Sequence, residues 1–197
     1  MLADHKAEWQ AAYETAKAAG EDVTRIVENY RNPEIKAALV EETSDKCAYC
    51  ESNIKHADNL EVEHIRPRSK HEDLIFAWKN LTLACHQCNA SKNAYYDEDI
   101  GILNPYEVDP KDHLQAAGPL VLPKPGDDIG EIAWRLFDLD RPSLIEKRRQ
   151  RLMVIQNLVD ARARRKNGLA QTLIDRDIRK ELADDQEYTL VTRTFVK

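Results

Sequence analysis

Long hydrophobic runs are missing from this sequence: the longest unbroken apolar stretches are about five residues, as in Leu74 to Trp78, where a bilayer crossing needs roughly 20. That excludes a membrane-spanning helix. Glycine is scarce, six among 197 residues, so neither a collagen-like repeat nor a flexible low-complexity tract is encoded. No GxxxxGK[ST] string occurs, which leaves P-loop ATPase activity outside this chain. The opening MLADHKAEWQ lacks a basic run followed by an apolar stretch, and the expectation is no secretory signal and a reducing, cytoplasmic location.

An excess of positive charge is absent as well. The net charge of -6 argues against coating nucleic acid by bulk electrostatics, but the average hides a gradient. Residues 1–46 carry -4, residues 47–93 are neutral, residues 94–140 carry -8 and residues 141–197 carry +6. The basic C-terminal third either supplies phosphate contacts or is a solvated helix face whose arginines pair with neighbouring acids.

What is present reads as a helix-rich globular chain in four segments. Residues 1–46 form an N-terminal helical segment: Ala3 to Ala19 is a helix stopped by Gly20, a short helix follows Glu21, and Asn32-Pro33 caps a third that ends near Ser44. Residues 47–100 break that pattern with extended runs at Leu60–Ile65 and Leu81–Ala84. Residues 101–140 are proline-rich, with turn signals at Asn104-Pro105, Asp109-Pro110 and Pro125-Gly126, and read as loops with a hairpin. Residues 141–197 are helical and basic. Arg141 to Lys166 shows Leu144, Ile145, Leu152, Ile155, Leu158 and Val159 at helical spacing, and Ala170 to Leu182 follows. The final EYTLVTRTFVK fits a strand by composition and a helix by period.

Cys47-Ala-Tyr-Cys50 and Cys85-His-Gln-Cys88 are two pairs of the spacing that presents two thiolates to a tetrahedral zinc. Thirty-four residues separate them, against roughly 15 to 20 in a zinc ribbon, so a functional insert sits inside the loop. A disulfide framework or a redox CxxC fits less well in a reducing compartment. The expectation is a structural zinc on Cys47, Cys50, Cys85 and Cys88.

Inside the loop lie LEVEHIRPRS, residues 60–69, and NLTLACHQCNASKN, residues 80–93. With the first CxxC, this acid-His-x-x-Pro, Asn-Leu and Cys-x-x-Cys-Asn-x-x-Lys series resembles the HNH endonuclease family over about 47 residues. The resemblance implies an α+β, mostly α chain, with a zinc-stapled ββα-metal finger embedded between helical segments. It also implies phosphodiester hydrolysis with one divalent ion, Mg2+ or Mn2+, separate from the zinc. On that reading His64 is the general base, Glu63 and Asn89 hold the catalytic ion, and Asn80 tethers the loop behind His64. The third motif letter is Asn, and the family's frequent aspartate is Glu63 here.

The chemistry is consistent with those roles. Histidine alone has an unperturbed pKa suited to a neutral-pH base, and a hard cation on oxygen ligands stabilises a leaving alkoxide. Asn89 follows Cys88 directly, so zinc fixes the start of its helix. Adjacent strand residues face opposite ways, so Glu63 and His64 share a site only if the strand bends, which Pro67 favours. Arg66, Arg68 and Lys92 are candidate nucleic-acid contacts, each with an ordinary structural alternative. Phe76 and Trp78 read as packing residues.

The longer layout, running through ILNPYEVDPKDHL and FDLDRPSLIEKRRQRL, resembles the HNH nuclease subunit of Septu and retron-associated antiviral systems. That resemblance implies a separate ATPase partner subunit, a nucleic-acid substrate with DNA favoured over RNA, and no membrane association. Two other readings stand beside it: a stand-alone restriction-type HNH endonuclease with the helices from Arg141 as its reader, and a zinc-dependent binding module without catalysis.

Overall fold

A computed structural model describes residues 2–54, 60–165 and 167–196. Lys166 and Lys197, which close two of the elements expected from sequence, lie outside the described residues. The chain divides into two compact units, Met1–Ala48 with Ile54–Ile102, and Tyr49–Asn53 with Leu103–Lys197.

In the first unit, α1 (Leu2–Ala18) ends at Gly20, whose φ of 74° is the left-handed conformation that glycine adopts at no steric cost. A single turn, α2 (Thr24–Val27), runs into a 3-10 turn over Glu28–Arg31. Helix α3 (Pro33–Thr43) starts where the sequence places it: Asn32 accepts a hydrogen bond from the Glu34 amide and Pro33 sits in the first turn. It stops at Ser44, which adopts a φ of 53°. Its buried residues Ile35 and Leu39 face β2 (Leu81–Cys85), which pairs antiparallel with β1 (Leu60–His64). The register places Glu63 opposite Thr82 and His64 opposite Leu81. Helix α4 (His86–Lys92) leaves β2 directly, with Cys85 as its N-cap, completing a ββα finger. Phe76 is fully buried and meets Trp9 edge-on, whereas Trp78 is half-buried with its indole N–H on Glu42.

The second unit shows more regular structure over residues 101–140 than the turn signals imply. A short α5 (Pro110–His113) precedes a hairpin of β3 (Leu114–Ala117) and β4 (Leu120–Pro123), then α6 (Asp128–Leu136). Gly130 lies inside α6, where a Cβ would stand 2.3 Å from the His113 carbonyl oxygen. The glycine marks close packing instead of a turn. Helix α7 (Pro142–Ala163) buries Leu144, Leu152 and Ile155 on the expected stripe, together with Arg148, whose guanidinium donates to the Leu139 carbonyl at 2.6 Å. Helix α8 (Leu169–Glu181) packs on α7. The last segment is the helix α9 (Thr189–Phe195), which resolves its two readings in favour of period over composition. Among the described residues no helix is long and apolar enough to cross a membrane.

The knuckle Tyr49–Asn53 belongs to this second unit through specific bonds. Tyr49 stacks on Phe137 at 4.0 Å. The Glu51 carboxylate accepts from the Thr189 and Leu190 amides at 3.2 and 3.4 Å and from the Thr189 hydroxyl, so it caps α9 from 138 residues away. Ser52 Oγ lies 3.0 Å from the Oη of Tyr188, which is fully buried, and 3.3 Å from Cys50 Sγ.

Candidate functional site

The four cysteines expected to bind one ion come together. One sulfur from each of Cys47, Cys50, Cys85 and Cys88 lies within 4.8 Å of the other three, and none is in a disulfide. A tetrahedron with zinc–sulfur bonds of about 2.3 Å has sulfur–sulfur edges of roughly 3.8 Å, so the four thiols fit a metal with a modest contraction. Cys47, Cys50 and Cys88 are buried. The Ser52–Tyr188 pair beside Cys50 Sγ is the kind of outer hydrogen bonding that orients a ligand.

The finger carries a second constellation around a cleft of about 920 Å³, lined in part by Glu61, Glu63, His64, Arg68 and Asn89. Side-chain alternation along β1 sends Glu61 and Glu63 toward α4 and His64 the other way, yet all three line this one cleft because the strand ends at His64. His64 is 5% exposed; its Nε2 lies 3.0 Å from the Ile75 carbonyl and its ring meets Tyr30 edge-on at 4.5 Å. A carbonyl only accepts, so Nε2 carries the proton and Nδ1 keeps its lone pair. Burial depresses the imidazole pKa to about 4, the nearby Arg68, Lys92 and Arg31 charges adding to the effect while the Ile75 bond opposes it. The ring is neutral at pH 7.

Asn80 is 4% exposed and spends its amide on the loop next to His64. Its Oδ1 accepts from the Arg66 amide at 2.8 Å, and its Nδ2 donates to the carbonyls of Arg66 and Leu74 at 3.0 and 3.2 Å. The loop that leaves His64 is thereby tied to the turn that supplies Ile75.

The structure departs from the sequence expectation at the acids. Asn89 donates its side-chain amide to Glu61, not to Glu63, and Glu61 also lies 2.7 Å from His86 Nδ1. Burial pushes the Glu61 carboxyl up, but the hydrogen bonds from Asn89 and His86 outweigh it and hold the group below the usual range. Glu63 is 6% exposed and faces Lys92, whose Nζ stands 2.6 Å from Oε1 in a charge contact without hydrogen-bond alignment. Burial raises the Glu63 pKa and Lys92 only partly offsets it. Sequence reasoning missed Glu61, although its two-residue offset from Glu63 marks a shared strand face.

Lys92 corrects another expectation. It is 1% exposed, contacts Glu63 and donates to the His64 carbonyl at 2.8 Å, so it locks the end of β1 to α4 and has no reach to a phosphate. Arg66 and Arg68 are exposed, stacked over the rings of Tyr96 and Tyr30 at 5.1 and 5.8 Å. Two carboxylates and an amide oxygen on one wall are hard donors, and the partly orphaned Glu63 Oε1 is the kind of buried oxygen a divalent cation satisfies. The donor set of Glu61, Glu63 and Asn89 fits a hard divalent cation.

Comparison with known proteins agrees with this geometry. Residues 47–94 match the family model described as HNH endonuclease. The chain is similar to a Septu protein PtuB of Bacillus thuringiensis, 34% identical over 84 residues, which is 42% of this chain and 33% of that protein. It is also similar to a Septu protein PtuB of Bacillus mycoides (strain KBAB4), 28% identical over 152 residues, 61% of this chain and 52% of that protein. The matches thus span between a third and about half the length of these relatives.

Proposed function

We propose, from the HNH endonuclease domain at residues 47–94 and the likeness to Septu PtuB proteins, that this chain is a metal-dependent endonuclease. On this reading it hydrolyses nucleic-acid phosphodiesters as the effector of an antiviral defence complex with a separate ATPase subunit. The observation that carries the catalytic part is the His64 imidazole, held by the Ile75 carbonyl in a cleft that Glu61, Glu63 and Asn89 also line.

With Nε2 committed to Ile75, Nδ1 is the atom that takes a proton from the attacking water. Asn80 keeps that carbonyl and the His64 loop in register, and burial keeps the ring neutral and ready to accept. Asn89, with Glu63 or Glu61, would hold Mg2+ or Mn2+, which when bound supplies charge stabilisation at the leaving 3′-oxygen. A zinc on Cys47, Cys50, Cys85 and Cys88 would fix the junction of β2 and α4 and hence the direction of Asn89. DNA is the substrate this reading favours.

The test is cleavage of plasmid DNA, single-stranded DNA and tRNA with Mg2+ or Mn2+, by the chain alone and with any co-purifying ATPase. His64→Ala is expected to abolish cleavage, by at least about 100-fold, while zinc content and the folded circular dichroism spectrum are retained. Full activity in that variant would falsify the assignment.

A further inference from the structure

The same cleft has a cationic rim that the nuclease reading does not use. Arg31 and Arg68 both line it, together with Glu61, Glu63 and Asn89. Arg31 belongs to the 3-10 turn Glu28–Arg31, sixteen residues ahead of Cys47 and outside the stretch matched to the HNH family. The two guanidiniums converge on one ring. Arg31 lies 5.2 Å and Arg68 5.8 Å from the centroid of Tyr30, and the Tyr30 ring is buried and set against His64. Arg31 donates Nε to Tyr30 Oη at 2.8 Å, which fixes its direction and leaves its terminal nitrogens available.

Among the described residues neither guanidinium is tightly paired. The Arg31 side chain is 61% exposed and stands 3.8 Å from Glu28 in the same turn, a surface contact of little strength, and its charge helps to hold the Glu61 carboxyl down. Arg68 makes no hydrogen bond or ion pair with any described residue. The nearby carboxylates hold closer partners, Glu61 in Asn89 and His86 and Glu63 in Lys92. Two guanidinium forks lining one cleft with the oxygen donors of Glu61, Glu63 and Asn89 match an anion with two non-bridging oxygens.

We propose that Arg31 and Arg68, braced on Tyr30, form the phosphate-holding pair of this cleft and seat the substrate backbone next to His64. The helical segment ahead of the finger is then part of the active site. The inference rests on the nuclease reading and deepens it by naming the residues that grip the phosphodiester.

The experiment uses the full chain and the nucleic acid it cleaves, with Ca2+ replacing Mg2+ during binding so that the substrate stays intact. Dissociation constants are measured against salt for wild type, Arg31→Gln, Arg68→Gln and Arg31→Lys, and KM and kcat with Mg2+ restored. Each Gln variant is expected to weaken binding roughly fivefold to tenfold, to lower the salt slope by about 1 and to raise KM more than it lowers kcat. Arg31→Lys is expected to keep the slope but lose affinity, because an ammonium cannot supply the fork. Wild-type affinity and slope in both Gln variants, with wild type active, would overturn the cation pair alone. A wild-type chain that neither binds nor cleaves nucleic acid would overturn this proposal and the nuclease reading together. Should Arg68→Gln unfold, Arg31→Gln decides alone, since that side chain is mostly solvated.

Discussion

Lys92 and Glu63 show what single side chains do that their sequence positions conceal. A buried ammonium beside a buried carboxylate is costly to assemble and costlier to split, because removing one partner strands the other charge out of water. Lys92→Met is expected to destabilise the protein by about 3–5 kcal/mol in chemical denaturation. The double variant with Glu63→Gln should recover most of that loss. Neither change should alter the salt slope of nucleic-acid binding, since Lys92 contacts Glu63 and the His64 carbonyl. In the sequence Lys92 was visible only as part of Cys-x-x-Cys-Asn-x-x-Lys, a pattern that does not say which way a lysine faces. Its burial follows from α4 lying across β1, a long-range contact. His64 and Asn80 were more legible, because their residue types and intervals are set by the chemistry of the turn they share.

Helices and strands were readable where their signals are local. Gly20 past α1, Asn32-Pro33 before α3 and Pro142 at the head of α7 act within one turn of chain, and each element begins or ends there in the structure. Helix α9 was not, since its cap is the carboxylate of Glu51 and its entry residue Tyr188 adopts a φ of 59°, a conformation costly for a tyrosine without tertiary support. Helix α6 was hidden by the proline-rich stretch before it, which shows no helical period. The β2–α4 junction carries two members of the cysteine cluster: Cys85 holds the N-cap position of α4 and Cys88 sits in its first turn. Cys85→Ser is expected to release the metal and lower soluble yield together, read by zinc content and circular dichroism. A soluble, metal-free, active Cys85→Ser protein would remove zinc from the account.

At the scale of the whole chain, part of the positive charge in the C-terminal third is paired or buried within the fold. Arg149 binds Glu146, Arg151 binds Glu181, Arg162 binds Asp175 and Arg193 binds Asp184, while Arg141 and Arg148 are buried on carbonyls. Net charge counted by segment could not reveal this, because it ignores which acid a helix brings alongside each arginine. The pairing disfavours α7 as a reader of nucleic acid. Arg149→Gln with Arg162→Gln is therefore expected to leave the dissociation constant for nucleic acid within about twofold of wild type, since charges already paired at a surface contribute little. The bond from Glu51 to the head of α9 carries a consequence for biosynthesis. The loop bearing Cys50 leaves the ribosome well over a hundred residues before the helix whose amides it receives, so a growing chain can expose all four thiols long before their surroundings exist. A metal captured at that stage is held by an unfinished scaffold, before the amides that Glu51 receives have been made.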